Sequence, residues 1–238
     1  MKIRINKYLS SLGIASRRAI DEMINQKQIT INNVIAFPGQ KIDPNSDQIH
    51  INHQLVKTQT PKLEYILLNK PKGYLSSTRG FKNQKTILDL IHSSNRLYPI
   101  GRLDKDSQGL IILTNDGDLT QKLTHPRYHI PKTYHITILG KVQNDQLQKL
   151  KSGIPLEDGL TQPAQVKIIK ENYPHNTILE IILYEGRKRQ IRRMCAHLHL
   201  FIQKLERVAI GPIQIQNLNL GKSRNLTSAE IKQLLTQN

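Results

Sequence analysis

Gly101-Arg102-Leu103-Asp104-Lys105-Asp106-Ser107-Gln108-Gly109-Leu110 runs directly into Ile111-Ile112-Leu113-Thr114-Asn115-Asp116-Gly117. The stretch links two apolar strands, Leu97 to Ile100 and Gly109 to Thr114, and then turns into a helix. Asp116 and Asp118 read as the cap and first turn of that helix, Gly117 to Leu123. Asp104 lies between Arg102 and Lys105 at the hinge between the strands. Flanking cations keep a carboxylate ionised and poised as a nucleophile. A plain surface turn uses the same residue types. A calcium loop is excluded: Asp104-x-Asp106 begins like an EF-hand, but Gln108 and Asn115 stand at its fifth and twelfth positions, and the twelfth needs a bidentate Glu.

Outward from that stretch, strand signals recur at Glu64 to Leu68, Lys132 to Leu139, Gln165 to Ile169, Thr177 to Tyr184 and Ile213 to Ile215. Helical signals cover Asp145 to Lys151, Arg189 to His197 and Ser228 to Leu235. Strands outnumber helices and do not alternate with them regularly. That pattern argues against a doubly wound parallel sheet. The expected class is α+β, with a mixed, largely antiparallel sheet and flanking helices.

The N-terminal part reads as a separate unit. Ile5, Leu9 and Leu12 follow i, i+4, i+7 spacing and mark one helix, with Gly13 as its stop. Ser16 caps a second, whose apolar face is Ile20, Met23 and Ile24. Arg17 and Arg18 fall in that helix's first turn, where the macrodipole disfavours cations; a nearby phosphate accounts for them. Gln28 to Ala36 reads as a hairpin turning at Asn32-Asn33. The polar run from His53 to Leu63 lacks apolar periodicity and is the linker candidate. It divides the chain into residues 1–58 and 59–238.

Thirty-five Lys and Arg against eighteen Asp and Glu give 238 residues a net charge of +17. Such an excess is the electrostatic footprint of a nucleic-acid partner. Cys195 is the single cysteine, which excludes an intramolecular disulfide and a multi-Cys zinc site. No apolar run suggests a signal segment or a membrane span, so a cytoplasmic protein without a membrane partner is expected. A second basic cluster, Glu185-Gly186-Arg187-Lys188-Arg189-Gln190-Ile191-Arg192-Arg193, follows a strand and opens a helix. Arg189, Arg192 and Arg193 share one helical face and repel unless anions meet them. Asp104 on one side and RNA phosphate on the other would do so, whereas Lys188 reads as solvated. The histidines are scattered, so no metal site is expected. No serine-hydrolase elbow or Walker loop is present.

Two helices and a hairpin, with Ser16-Arg17-Arg18 between the helices, resemble the S4-type RNA-binding domain. Gly-Arg-Leu-Asp-x-x-Ser/Thr-x-Gly-Leu, followed by an apolar strand and Thr-Asn-Asp-Gly, resembles the catalytic signature of the RsuA/RluB-type ribosomal RNA pseudouridine synthases. Asn69-Lys70-Pro71-Lys72-Gly73, Pro131-Lys132-Thr133-Tyr134, Glu185 to Met194, and Leu205-Glu206-Arg207 with Ile210-Gly211 resemble that family's other motifs, in order. Ser107 stands where Thr is usual and keeps the hydroxyl.

The resemblance implies a pseudouridine synthase fold in which Asp104 is the catalytic carboxylate. It implies that Tyr134 stacks on the target uracil, Arg192 pairs with Asp104, and Leu205 walls the base pocket. Arg102 is a candidate to fill the space left by a flipped base or to hold the flipped phosphate. Arg17, Arg18, Lys70, Lys105, Arg187, Arg189 and Arg193 are the expected RNA contacts. The reaction breaks the N1–C1′ bond, turns the uracil and rejoins it through C5, so neither cofactor nor metal is expected. Whether Asp104 attacks sugar or base, or abstracts a sugar proton, is open at this level. The expected partner of a monomeric enzyme is ribosomal RNA or a ribosome-assembly intermediate, with 23S favoured over 16S. The rival is a non-catalytic rRNA-binding assembly factor; an acid held among arginines that face phosphate speaks against it.

Overall fold

The computed structural model describes residues 2–80, 83–172 and 174–236. Contacts divide the chain into two compact units. One comprises Met1–Glu64, Ser93–Arg96 and Asn115–Gly117; the other comprises Tyr65–His92, Leu97–Thr114 and Asp118–Asn238.

In the first unit, helices Ile5–Ser11 and Arg17–Asn25 pack on a small antiparallel sheet. Ser16 caps the second helix, its hydroxyl accepting from Ala19 N at 3.2 Å. The strands run in the order Val34–Ile35, Ile29–Ile31, Ile49–Ile51, Gln54–Leu55. Asn32 and Asn33 turn the first hairpin with φ of 50° and 68°, the left-handed pair that a tight two-residue turn requires. Asn52 and His53 do the same with 48° and 65°. The strand they lead into, Gln54–Leu55, therefore lies inside the run read as linker. Its polar, two-residue length hid it. Ile5, Leu9, Ile20, Ile24, Ile29, Ile31 and Ile49 close the core between helices and sheet.

The second unit is built on one mixed sheet, nine-stranded among the described residues. Its main path runs Gln165–Asn172, Asn176–Leu183, Lys132–Leu139, Ile202–Ile210, Gln108–Thr114, Tyr65–Lys70, Ser223–Asn225. Every main-path pairing is antiparallel except one. Ile202–Ile210 runs parallel to Gln108–Thr114, with Glu206 opposite Gln108 and Arg207 opposite Gly109.

The sequence pattern does not mark that nine-residue strand, whose residues stand out only as a motif. Lys204, Glu206 and Arg207 break its alternation. Register shifts against Lys132–Leu139 break it further. Helices Asn144–Ser152 and Gln190–His197 cover one part of the sheet, burying Leu150, Ile191, Met194 and Cys195 against Ile136, Leu179 and Ile181. Gln108–Thr114 is buried along its whole length, with Leu110 and Ile112 in one core cluster and Ile111 and Leu113 in another. Burial on both faces explains its continuous apolar run. No described helix is long and apolar enough to cross a membrane.

Candidate active site

The loop from Gly101 to Ser107 enters that central strand, and its backbone is pinned from below. Lys70, at the end of the neighbouring strand, is fully buried. Its Nζ donates to Pro71 O at 3.1 Å, Asp104 O at 3.0 Å and Ser107 O at 2.8 Å. Burial pushes the Lys70 ammonium down to about 8, although the charges of Asp104 and Asp106 oppose the shift. Gly73 N donates to Lys105 O at 2.7 Å. Ser76 Oγ donates to Leu103 O at 2.7 Å and accepts from Leu103 N at 3.0 Å. Gly109 then leaves the loop with φ +111°, and a Cβ there would lie 2.3 Å from Arg207 O. Only glycine permits this approach of the two parallel strands.

Lys70 is therefore removed from the expected RNA contacts. Its charge is directed at three carbonyls inside the protein, and it ties the Asp104 backbone in place.

The arginine cluster also departs from expectation. Arg192 pairs with Asp106, two residues beyond the expected Asp104. Its Nε lies 3.3 Å from Asp106 Oδ2, and Nη2 donates to Asp106 O at 3.0 Å and Ser107 Oγ at 3.3 Å. Arg189 adds bonds of 3.2 and 3.3 Å to the same carboxylate. Partial burial pushes the Asp106 carboxyl up, but the Arg189 bonds and the Arg192 charge outweigh it and hold it below the usual range. The turn closed by Ser107 N on Asp104 O, at 3.1 Å, separates the two acids. Asp106 is exposed toward the arginines, whereas Asp104 is half-buried and lines the cleft. No side chain among the described residues bonds the Asp104 carboxylate.

Arg187 and Arg193 likewise meet protein groups. Arg187 bonds Glu185 Oε2 at 3.0 Å, Gly159 O at 2.9 Å and Leu160 O at 2.6 Å. Arg193 grips Asp158 through two bonds of 2.9 and 3.0 Å. Both guanidiniums tether the 158–160 segment while keeping part of their side chains exposed. Acidic groups distant in sequence supply the anions that the clustered arginines required.

Asp104, Tyr134, Leu205, Arg192, Lys132 and Arg207 line one cleft of about 660 Å³. Tyr134 is half-buried and packs against two core clusters. Leu205 is 5% exposed and stands opposite Ile136 on the adjacent strand. Arg102, Lys105 and Lys188 are exposed and contribute to the cleft lining. Arg17 and Arg18 lie exposed on the first unit. The sequence reading missed Lys132 and Arg207 as cleft residues. A signal existed for Lys132, which is two residues from Tyr134 on a strand and so shares its face. Cys195 is buried, and burial pushes its thiol up to about 12, which leaves it inert. The described residues contain no group of three or more His, Cys, Asp or Glu placed to hold a metal ion.

A cleft with exposed cations and an aromatic and an aliphatic wall suits an enzyme that draws a base out of a nucleic-acid strand. Residues 64–197 match the family model described as RNA pseudouridylate synthase, and residues 3–49 match the S4 domain. The chain belongs to the RNA pseudouridylate synthase family. It is 40% identical to an RNA pseudouridine synthase of Aquifex aeolicus, over 98% of this chain and 94% of that protein. It is 38% identical to the ribosomal large subunit pseudouridine synthase B of Bacillus subtilis, over 97% and 95%. A crystal structure of a pseudouridylate synthase superposes with a TM-score of 0.70 at 30% identity, covering 98% of this chain and 99% of that one.

Proposed function

We propose that this enzyme converts one uridine of ribosomal RNA, in the large subunit's 23S molecule, to pseudouridine, with Asp104 as the catalytic carboxylate. The observation that carries the reading is the placing of Asp104 on a pinned loop, in one cleft with Tyr134 and Leu205. Tyr134 stacks on the uracil and Leu205 closes the other side, so the detached ring is kept from solvent while it turns. Arg102, beside the catalytic loop, occupies the space the base vacates. Arg192 acts through Asp106 and Ser107, bracing the C-terminal side of the loop that presents Asp104. Similarity to the Bacillus subtilis large-subunit enzyme supports the choice of 23S over 16S.

In this reading residues 1–58 form a module that grips RNA through Arg17 and Arg18, and residues 59–238 catalyse. Lys105 and Arg189 meet phosphate near the cleft. The enzyme works as a monomer in the cytoplasm on rRNA or an assembly intermediate.

Tritium release from unmodified [5-³H]uridine-labelled 16S and 23S rRNA tests the proposal. Release from 23S alone by the wild type, with none from Asp104→Asn at near-normal RNA affinity, is the expected result. Turnover by Asp104→Asn well above background would sink the carboxylate role, and release from 16S alone would overturn the choice of subunit.

A further inference from the structure

Two cations of the cleft make no ion pair among the described residues. Arg207 stands opposite Tyr134 on the neighbouring strand and is 4% exposed. Its Nε donates to Leu110 O at 2.7 Å, but its Nη2 is sealed from solvent without a hydrogen-bond partner. Lys132 lies two residues before Tyr134, lines the same cleft and makes no ion pair among the described residues. Burial, and then the charge of Arg207, push its ammonium down to about 8. Glu185 is engaged with Arg187 and Gln190, and Asp106 with Arg189 and Arg192; Asp104, the reacting carboxylate in this reading, lines the cleft and forms no ion pair with either cation among the described residues. A buried donor left unpaired is costly, and more so when it carries charge. The unpaired Arg207 guanidinium and the half-buried Lys132 ammonium, close enough for their charges to interact, leave positive charge in the cleft that an anion would offset.

We propose that Lys132 and Arg207 form an anion-holding subsite that takes the negative charge of the uracil ring once it has left the ribose. The inference rests on the pseudouridine synthase reading and deepens it. When the N1–C1′ bond breaks, its electron pair leaves with the ring, which becomes an anion, and C1′ is left electron-poor beside the Asp104 carboxylate. A ring electron pair then forms the C5–C1′ bond, C5 gives up its proton and N1 takes one up. Substrate and product are isomers, so no oxidant or further reactant enters.

During the interval the ring's charge is spread over its nitrogens and carbonyl oxygens, and fixed donors aimed at it lower the barrier. Position favours the ring over backbone phosphate as the occupant. Lys132 and Arg207 share the cleft's walls with Tyr134 and Leu205. Lys105, Lys188 and Arg189 are exposed cations of the cleft lining that phosphate would meet.

The test is single-turnover tritium release at saturating 23S rRNA, with rRNA affinity measured separately, for wild type, Asp104→Asn, Lys132→Met and Lys132→Arg. Lys132→Met keeps the length of the side chain and removes its charge. Its rate should fall roughly 100-fold, the size of effect seen on losing one preorganised donor to a developing anion, while Kd stays near the wild-type value. Lys132→Arg should recover most of the rate, which a purely structural role for the side chain does not foresee. Arg207→Lys, checked for folding by thermal melting, should behave like Lys132→Met. An unchanged rate for Lys132→Met overturns the proposal. Weakened affinity with an unchanged saturated rate also overturns it and marks Lys132 as a phosphate contact. Wild-type release with an inactive Asp104→Asn upholds the parent reading whichever way Lys132 falls. Absence of wild-type release removes both.

Discussion

Replacing Lys70 by Met should uncouple the catalytic loop from the sheet. The substitution keeps the buried aliphatic stem and deletes the ammonium, and with it the bonds to Pro71 O, Asp104 O and Ser107 O at 3.1, 3.0 and 2.8 Å. Hydrogen bonds from a charged donor contribute about 1.5–3 kcal/mol each, so the three together set an upper figure of about 5–9 kcal/mol. Against this stands the cost of keeping a cation buried, several kcal/mol in real proteins, whose sign shows in an ammonium pushed down to about 8. The balance is a loss of about 2–4 kcal/mol in unfolding free energy.

Turnover should fall further than stability suggests, because a reacting group displaced by about 1 Å loses on the order of 100-fold in rate. Urea unfolding followed by circular dichroism gives the first quantity, and tritium release from 23S rRNA below the unfolding transition gives the second. Lys70→Arg should not restore activity, since a planar guanidinium cannot occupy a cage of three carbonyls shaped for an ammonium. A Lys70→Met protein with wild-type stability and turnover would refute the reasoning.

Gly109→Ala should cost more than about 4 kcal/mol, the range reserved for named structural failures, because its Cβ would lie 2.3 Å from Arg207 O at φ +111°; a urea midpoint close to wild type would contradict that. Glu230→Gln should be less stable than wild type at neutral pH. Arg224 bonds the Glu230 carboxylate at 2.7 and 2.8 Å and, with Thr227, holds its carboxyl down to about 2 from an ordinary value of 4.5. A depressed carboxyl contributes stability above the unfolded value that is lost as pH falls through the folded one. The gap between wild type and Glu230→Gln in thermal melts should therefore be full above pH 4.5 and close toward pH 2. A gap that did not change with pH would rule the ion pair out as its cause.

Features that depend on residues a few positions apart are legible in the chain itself. The Ser16 cap, the Asn32-Asn33 turn, the apolar faces of the first two helices and most sheet strands follow from capping, backbone preference and side-chain period, all of which act within a few residues. The ordered motifs likewise mark Asp104, Tyr134 and Leu205, and the fold brings these three to one cleft. Charge pairing is not legible, because a guanidinium meets whichever acid the sheet order brings to it. Arg192 reaches Asp106 across 86 positions of sequence, and no local pattern separates Asp106 from Asp104.

Lys70 reads as one more surface cation until the strand that carries it is seen to end beneath the catalytic loop. The Ile202–Ile210 strand is masked for a related reason: Arg207 occupies an inward position that burial normally reserves for apolar side chains, and Glu206 and Lys204 confuse the period around it. The sequence by itself determined the class of fold and the family, and its motifs mark Asp104 as the candidate acid. Tertiary structure alone decided which cations stabilise the loop, which pair with acids and which line the cleft without an ion pair among the described residues, since each of those outcomes depends on strand order and burial between residues far apart in the chain.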